Sequence, residues 1–289
     1  SARECIMKES QSSSTARLVS LARGVGVSSH LRDPLAHAFS GGKLGGRLLQ
    51  FEREAPAVRA ARYALRALSL GLVDHNTVRM VLVDRYLERW LQAGIRQVVL
   101  LGAGLDSRAW RLDALASAVL YEVDHPDTQA FKRAQAAPLR PRAERVVFVP
   151  ADFERNDVGA ALAEHGHDAS APTAWVCEGV TAYLTPATTG ALLRAVRARS
   201  AARSQLALSY VTPPRSDGGA ASKLLIQLIL KRMGERARGL IAPEAVAAEL
   251  AAAGFERLED LGWTEWIARI PEYSALPNLL KERLVIAGT

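Results

Sequence analysis

Gln97-Val-Val-Leu-Leu-Gly-Ala-Gly-Leu-Asp-Ser-Arg108 reads as a strand, a tight turn and the opening of a helix. Gln97 to Leu101 is an unbroken apolar run rich in β-branched side chains, the pattern of a parallel strand buried on both faces. Gly102-Ala-Gly104 follows at once. Glycines there let the backbone turn sharply and let a ligand approach the main chain. In open α/β sheets, ligands bind outside the carboxyl ends of the strands, so this turn is the expected floor of a binding site.

Outward from that turn, strands and helices alternate. Residues 118–123 form a strand-like run ending in Glu122-Val-Asp124-His-Pro126, and a helix is expected over 126–137. A third strand, 146–150, ends in Ala151-Asp152-Phe153, with a helix over 157–165. A fourth, 173–177, ends in Glu178-Gly179-Val180; a helix over 186–200 and a fifth strand over 205–211 follow. This βαβ alternation predicts a mostly parallel sheet with helices on both faces.

The two ends differ from this pattern. Upstream, helices are expected over 16–23, from Asp33-Pro34 onward, over 56–72 and over 77–93. The Gly41–Gly46 loop lacks the lysine spacing of a phosphate loop and reads as a connector. Downstream, Pro213-Pro-Arg-Ser-Asp-Gly-Gly219 leads into an amphipathic stretch, 220–233, expected to be a lid or an interface element. A helix over 243–253 stopped by Gly254, and strands over 255–261 and 283–287, close the chain. The expected organisation is a helical cap, 1–94, over an α/β core, 95–289, with an insertion near 212–241.

Composition limits the partners. About half of the 289 residues are apolar (49%), enough for a sizeable core. The net charge is +7. The arginines are dispersed, with no basic block interleaved with aromatics, so a nucleic-acid partner is not expected, while an anionic substrate would suit the charge. Cys5 and Cys177 lie in unrelated contexts, which argues against a disulfide framework and for a reducing, cytoplasmic setting. No apolar run is long enough to span a bilayer and no secretory leader is expected. No His/Cys cluster has metal-ligand spacing. A homo-oligomer is compatible with all of this.

The strand ends carry the chemistry. Gly102-Ala-Gly104, Glu122-Val-Asp124, Asp152-Phe153 and Glu178-Gly179 should share one edge of the sheet, because parallel strands point their carboxyl ends the same way. One acid after a strand is usually a helix cap. Acids after three successive strands beside a glycine turn suit a ligand rich in hydroxyl, amino and ammonium groups. Glu122 lies about 20 residues past Gly102, the distance of an acid that binds ribose hydroxyls; the competing role for Glu122 or Asp124 is a cap on the next helix. Asp152 would accept from an adenine amino group and Phe153 offer its amide to a ring nitrogen. Asp106 stands where a third glycine often comes, so the dinucleotide fingerprint is incomplete. NAD and S-adenosylmethionine both fit to this point.

Leu100-Leu-Gly-Ala-Gly-Leu-Asp-Ser-Arg108, Tyr121-Glu-Val-Asp-His-Pro126, Ala151-Asp-Phe153 and Glu178-Gly-Val-Thr-Ala-Tyr-Leu184, taken in order, resemble the leucine carboxyl methyltransferase family. Its bacterial members include S-adenosylmethionine-dependent O-methyltransferases of secondary metabolism. The resemblance runs from about Ser14-Thr-Ala16 to Leu184 and then fades. It implies a class I methyltransferase fold, a Rossmann-like α/β sheet of seven strands with the last antiparallel. It also implies cofactor roles: Gly102 and Gly104 at the methionine part, Asp124 with Glu122 at the ribose, Asp152 and Phe153 at the adenine and Glu178 at the amino-acid or acceptor side, with Ala103, Asp106 and Gly179 as further cofactor-binding residues. A basic residue from the preceding helices would pair with the methionine carboxylate; Arg62 is the candidate, with Arg66 and Arg17 as alternatives and a plain solvated arginine as the competing role. Ser107 stands where the family usually has threonine.

Methyl transfer from a sulfonium is an in-line displacement in which the protein mainly aligns the partners. A carboxylate acceptor is already ionised at neutral pH and needs no base, whereas a hydroxyl does. The expected acceptor is a small molecule or peptide-like metabolite, with Tyr183 near the pocket. Two rivals remain at this level: a nicotinamide-dependent oxidoreductase, which would continue with parallel strands, and a non-catalytic module keeping only the fold.

Overall fold

The computed structural model describes residues 15–40, 46–53, 55–213, 239–273, 276, 278 and 280–289. Seven strands form one sheet: β1 (Gln97–Leu101), β2 (Val119–Asp124), β3 (Arg145–Pro150), β4 (Thr173–Cys177), β5 (Gln205–Val211), β6 (Glu256–Leu261) and β7 (Glu282–Gly288). Their order is β3-β2-β1-β4-β5-β7-β6. The first five are parallel; β7 runs antiparallel to β5, and β6 antiparallel to β7. The α/β class and the strand count agree with the sequence-based expectation.

The register places the site. Leu101 lies level with Val123 and with Cys177. Gly102, Asp124 and Glu178 therefore leave the sheet side by side. Side chains alternate between two dry layers, as strand pleating requires. Val98, Leu100, Leu120, Ala174 and Val176 face a core completed by α4. Val99, Leu101, Val123, Trp175 and Leu208 face the other.

Helices at the amino end are α1 (residues 15–25), α2 (Ala36–Ser40), α3 (Pro56–Leu68) and α4 (Leu72–Gln92). Two boundaries depart from expectation: α3 stops at Leu68 and α4 begins five residues before Thr77. Gly71, at φ 92°, supplies the left-handed turn between them, and the apolar run through Leu70 and Leu72 hides that break in a reading by periodicity. Further along the chain come α5 (Arg108–Arg111), α6 (Pro126–Ala136) and α10 (Trp263–Ala268) in the same layer as α4, and α7 (Val158–Glu164), α8 (Pro186–Ala198) and α9 (Pro243–Ala253) in the other. α10 was not expected; the Gly262 N–H donates to Glu265 Oε2 at 2.9 Å to cap its first turn. The amphipathic stretch 220–233 and most of the Gly41–Gly46 loop lie outside the described residues. No described helix is long and apolar enough to cross a membrane.

His167 joins the far end of β4 to α8. Its Nε2 meets Thr173 Oγ1 at 3.1 Å, and Arg199 Nε donates to its Nδ1 at 3.2 Å. Burial, then the neighbouring Arg199, push its pKa down to about 4. A depressed histidine favours the fold in its neutral form. Its contribution is complete above the ordinary value of 6.5 and is lost as pH falls through 4. In His167→Gln, urea stability should lose up to about 3 kcal/mol of its decline between pH 6.5 and 4. An unchanged decline would remove His167 as its source.

Candidate functional site

A cavity of about 470 Å³ opens at the carboxyl edge of β1, β2, β3 and β4, within the ~300–1,000 Å³ range of small-molecule sites. The sheet contributes Gly102 to Asp106, Asp124, Asp152, Phe153, Glu178 and Gly179. The helices contribute Ala16, Val19 and Arg23 from α1 and Arg79 from α4. Tyr183 and Leu184 also line the cavity.

The glycine turn is shaped by its backbone. Gly102 sits at φ 66° and its N–H donates to Val123 O at 2.8 Å. A Cβ there would overlap Val180 Cγ2. Gly104, at φ 47°, donates its N–H to Asp124 Oδ2 at 2.5 Å. Asp124 Oδ1 takes the His125 N–H at 2.6 Å. The carboxylate is thus fixed at the crevice by two main-chain donors, while burial raises its pKa against their pull. Asp152 Oδ1 accepts the Glu154 N–H at 2.9 Å, so its turn is self-held beside Phe153. Gly102→Val should abolish ligand binding and lower stability by about 2 kcal/mol or more, since it combines positive-φ strain with a clash. Calorimetric titration and thermal melting check both; wild-type affinity in this variant would contradict the turn's role.

The part of the cavity around Glu178 is lined by ions. Glu178 accepts from Arg79 Nε at 2.9 Å and from Arg108 Nη2 at 2.8 Å. Burial works to raise the Glu178 pKa, but Arg108, Arg79 and Arg23 outweigh it and hold it low. Arg108 is wholly buried and also reaches Asp84 at 2.6 Å and Asp106 at 2.5 Å. Asp106 is likewise depressed, burial being overcome by Arg108 and Arg23. Arg79 continues to Glu282 at 2.5 Å, and Glu282 to His75. These groups compensate one another, which is the condition for keeping charge away from water.

Arg23 differs from Arg79 and Arg108. It is 5% exposed, donates from Nη2 to Leu105 O at 2.9 Å and lies 3.8 Å from Asp106. Its Nε is buried and has no hydrogen-bond partner among the described residues. A buried guanidinium N–H without an acceptor, in a residue lining a cavity, is a donor set for an anionic ligand group.

Of the residues expected at the site, Gly102, Ala103, Gly104, Asp106, Asp124, Asp152, Phe153, Glu178, Gly179 and Tyr183 line the cavity. Glu122 does not. The pleat turns it into the core layer with Leu120, where it is wholly buried and 2.7 Å from Lys132 of α6. Burial pushes its carboxyl up to about 7, against the pull of Lys132. It neither faces the crevice nor caps a helix; it sits two residues short of the strand end, and Asp124 takes the edge position.

Arg62 is also misplaced by the sequence-based reading. It is buried, donating to Val25 O at 3.1 Å and to Phe51 O at 2.5 Å, and it ties α3 to α1. Arg66 pairs with Asp74 at 2.6 Å, and Arg17 lies over the Phe131 ring at 4.5 Å. None of the three lines the cavity. Arg23 and Arg79 do, and both were missed. The available signal was helical: Ala16, Val19 and Arg23 recur at i, i+3 and i+7, one face of α1. No group of three or more potential metal ligands occurs among the described residues.

A family model described as leucine carboxyl methyltransferase matches residues 17–197. A Frankia alni protein named, by inference, an S-adenosyl-L-methionine-dependent methyltransferase is 40% identical over 183 residues, 63% of this chain and 61% of that protein. A Mycobacterium avium protein with the same designation is 43% identical over 148 residues, 50% of this chain and 45% of that protein. The chain thus spans about half to three fifths of the length of these curated relatives. Among solved structures, a Streptomyces avermitilis protein of the DUF574 family matches with a TM-score of 0.61 and 15% identity over 93% of this chain and 96% of that one. A Thermobifida fusca protein, described by inference as a methyltransferase, matches with a TM-score of 0.57 and 21% identity over 93% and 94%. These two share the fold.

Proposed function

The chain belongs to the leucine carboxyl methyltransferase family, and from that membership we propose that it is an S-adenosylmethionine-dependent methyltransferase acting on an oxygen of a small or peptide-like acceptor. The observation that carries the reading is the donor set of the crevice. Backbone-fixed Asp124 offers acceptors for ribose hydroxyls. Asp152 and Phe153 line the crevice and would offer an acceptor to an adenine amino group and an N–H to a ring nitrogen. Glu178 and Asp106, held ionised by arginines, suit an ammonium and a sulfonium. Arg23 Nε suits the carboxylate. When bound, the cofactor supplies an electrophilic methyl group.

The protein's part is alignment and exclusion of water. The acids nearest the amino-acid end are depressed and ion-paired, so they are poor proton acceptors at neutral pH. That favours an acceptor already ionised, a carboxylate before an alcohol. A nicotinamide oxidoreductase is disfavoured by the antiparallel β7 beside β5 and by the missing third glycine. The buried free thiol of Cys177 fits a reducing, cytoplasmic location.

Calorimetric titration with S-adenosylhomocysteine and, in parallel, NAD tests the cofactor reading. Micromolar binding of the former is expected, weakened about tenfold or more by Asp124→Ala and by Asp152→Ala, as loss of charge-assisted hydrogen bonds implies. No NAD binding is expected. Binding of NAD in place of the homocysteine compound would refute the proposal. A labelled-methyl screen over carboxylic acids and phenols then tests the acceptor class.

A further inference from the structure

β7 runs against β5, so it brings its first residue, not its last, to the edge where the parallel strands end. That residue is Glu282, level with Val211 at the end of β5. Strand pleating sends it to the same face as Leu284 and Ile286, the layer packed with α4. There α4 presents His75 and Arg79, one turn apart on one face. Glu282 is 7% exposed and does not line the cavity. It lies far beyond Leu184, where the family resemblance fades.

Three side chains fix its carboxylate. Oε2 accepts from Arg79 Nη1 at 2.5 Å and from the His75 ring. Ser209 of β5 also hydrogen-bonds the carboxylate, while its Oγ takes the Gly179 N–H at 2.8 Å. His75 is itself braced. Asn278 Oδ1 accepts the Leu280 N–H at 2.9 Å, which turns its amide nitrogen onto His75 Nδ1 at 3.1 Å. Nδ1 is therefore an acceptor, and Nε2 carries the hydrogen given to Glu282. The ring packs against Trp263 and Trp266, at centroid distances of 6.0 and 5.2 Å.

Arg79 is what this network carries to the cavity wall. Its Nε donates to Glu178 at 2.9 Å and its Nη2 to Asn76 Oδ1 at 3.1 Å. With the bond to Glu282, three of its five N–H groups are engaged among the described residues. Each terminal nitrogen keeps one more. Gly179 leaves room beside them, since a Cβ there would stand 3.3 Å from Nη2. A guanidinium on a long side chain aims its fork only where neighbours lock it.

We propose that Glu282, braced by His75, is a positioning residue: it sets the Arg79 guanidinium in the cavity wall with its remaining N–H groups toward the charged end of the ligand. What that ligand is rests on the cofactor reading; the locking of Arg79 does not.

The full chain tests it by calorimetric titration with S-adenosylhomocysteine, well below each variant's melting temperature. Glu282→Gln should weaken binding about tenfold or more, because an amide offers one acceptor atom and no charge to three donors. In a double-mutant cycle with Arg79→Met, the two losses should not add. Wild-type affinity in Glu282→Gln, or fully additive losses, would overturn the proposal, since an acid of purely structural value lowers the melting temperature without acting through Arg79. His75→Phe keeps a ring against the tryptophans but has no N–H for Glu282, and should cost about fivefold; His75→Gln, which offers an amide N–H, should stay within about twofold of wild type. Equal affinities in these two would also overturn it. A ligand-free measurement separates this proposal from the cofactor reading. The Arg79 Nε–H signal in heteronuclear NMR, assigned by its absence in Arg79→Lys, should exchange with water about tenfold faster or more in Glu282→Gln and in His75→Phe than in wild type. Unchanged exchange would overturn the positioning role. Accelerated exchange in a chain whose wild type binds no S-adenosylhomocysteine would refute the cofactor reading alone. If Glu282→Gln does not fold, the two His75 variants decide.

Discussion

Arg23→Ala is expected to weaken S-adenosylhomocysteine binding by about 100-fold, with little change in melting temperature. The size follows from removing a buried guanidinium whose free Nε is the donor assigned to the ligand's carboxylate; loss of one partner of a desolvated charged pair costs roughly 2–5 kcal/mol. Stability changes little because Asp106 keeps Arg108 at 2.5 Å, and only one carbonyl bond, to Leu105, is lost. Arg62→Ala should do the opposite. Two backbone carbonyls, Val25 and Phe51, lose their donor, at about 1–3 kcal/mol of stability, while affinity stays within a few-fold. Titration and melting of the two variants separate the roles. Normal binding by Arg23→Ala together with lost binding by Arg62→Ala would return the carboxylate to Arg62.

The largest loss of stability is expected from Glu178→Gln. Glu178 is held between Arg79 and Arg108, with side-chain exposures of 9%, 6% and 0%. Neutralising the acid leaves two buried guanidiniums facing each other without their shared counter-charge. Breaking a buried pair this way costs about 3–5 kcal/mol, a large part of a domain's total stability. The pH dependence gives a second readout. Glu178, Asp106 and Glu282 all have folded pKa values below their ordinary ones, burial being outweighed by neighbouring arginines and, for Glu282, by Arg79 and His75. Depressed acids contribute stability that is complete above the ordinary carboxylate range and is lost as pH falls through the folded values. The wild type should therefore weaken steeply below about pH 4, and Glu178→Gln should show a shallower acid slope from a lower plateau. Urea denaturation at pH 7 and in the acid range measures both. An equal slope in the two proteins would mean that Glu178 does not titrate with folding.

The parts of this molecule legible in the sequence share a physical cause: they are local. The runs at 97–101, 173–177 and 205–211 match strands end for end because each is a short apolar segment bounded by turn residues. Asp124, Asp152 and Glu178 were placed because parallel strands deliver their carboxyl ends to one edge. Gly254 ended α9 as a left-handed cap, at φ 87°. The misreadings share the opposite cause. Glu122 and Asp124 are two residues apart and chemically alike; which one reaches the crevice depends on where β2 ends relative to α6 and on Lys132 waiting in the core. Arg62 and Arg23 are both arginines on cap helices, and only the packing of α3 on α1 turns one onto carbonyls and the other into the cavity. Periodicity tells which residues share a face; it does not tell which face another helix will cover, and on α3 the arginine face is the one that was buried. Strand identity and the acids at the sheet edge were written in the local order of residue types. Arg79 and Arg108 owe Glu178, Glu282 and Asp84 to long-range packing, because a charge is tolerated in the interior only where a counter-ion lies within about 3 Å.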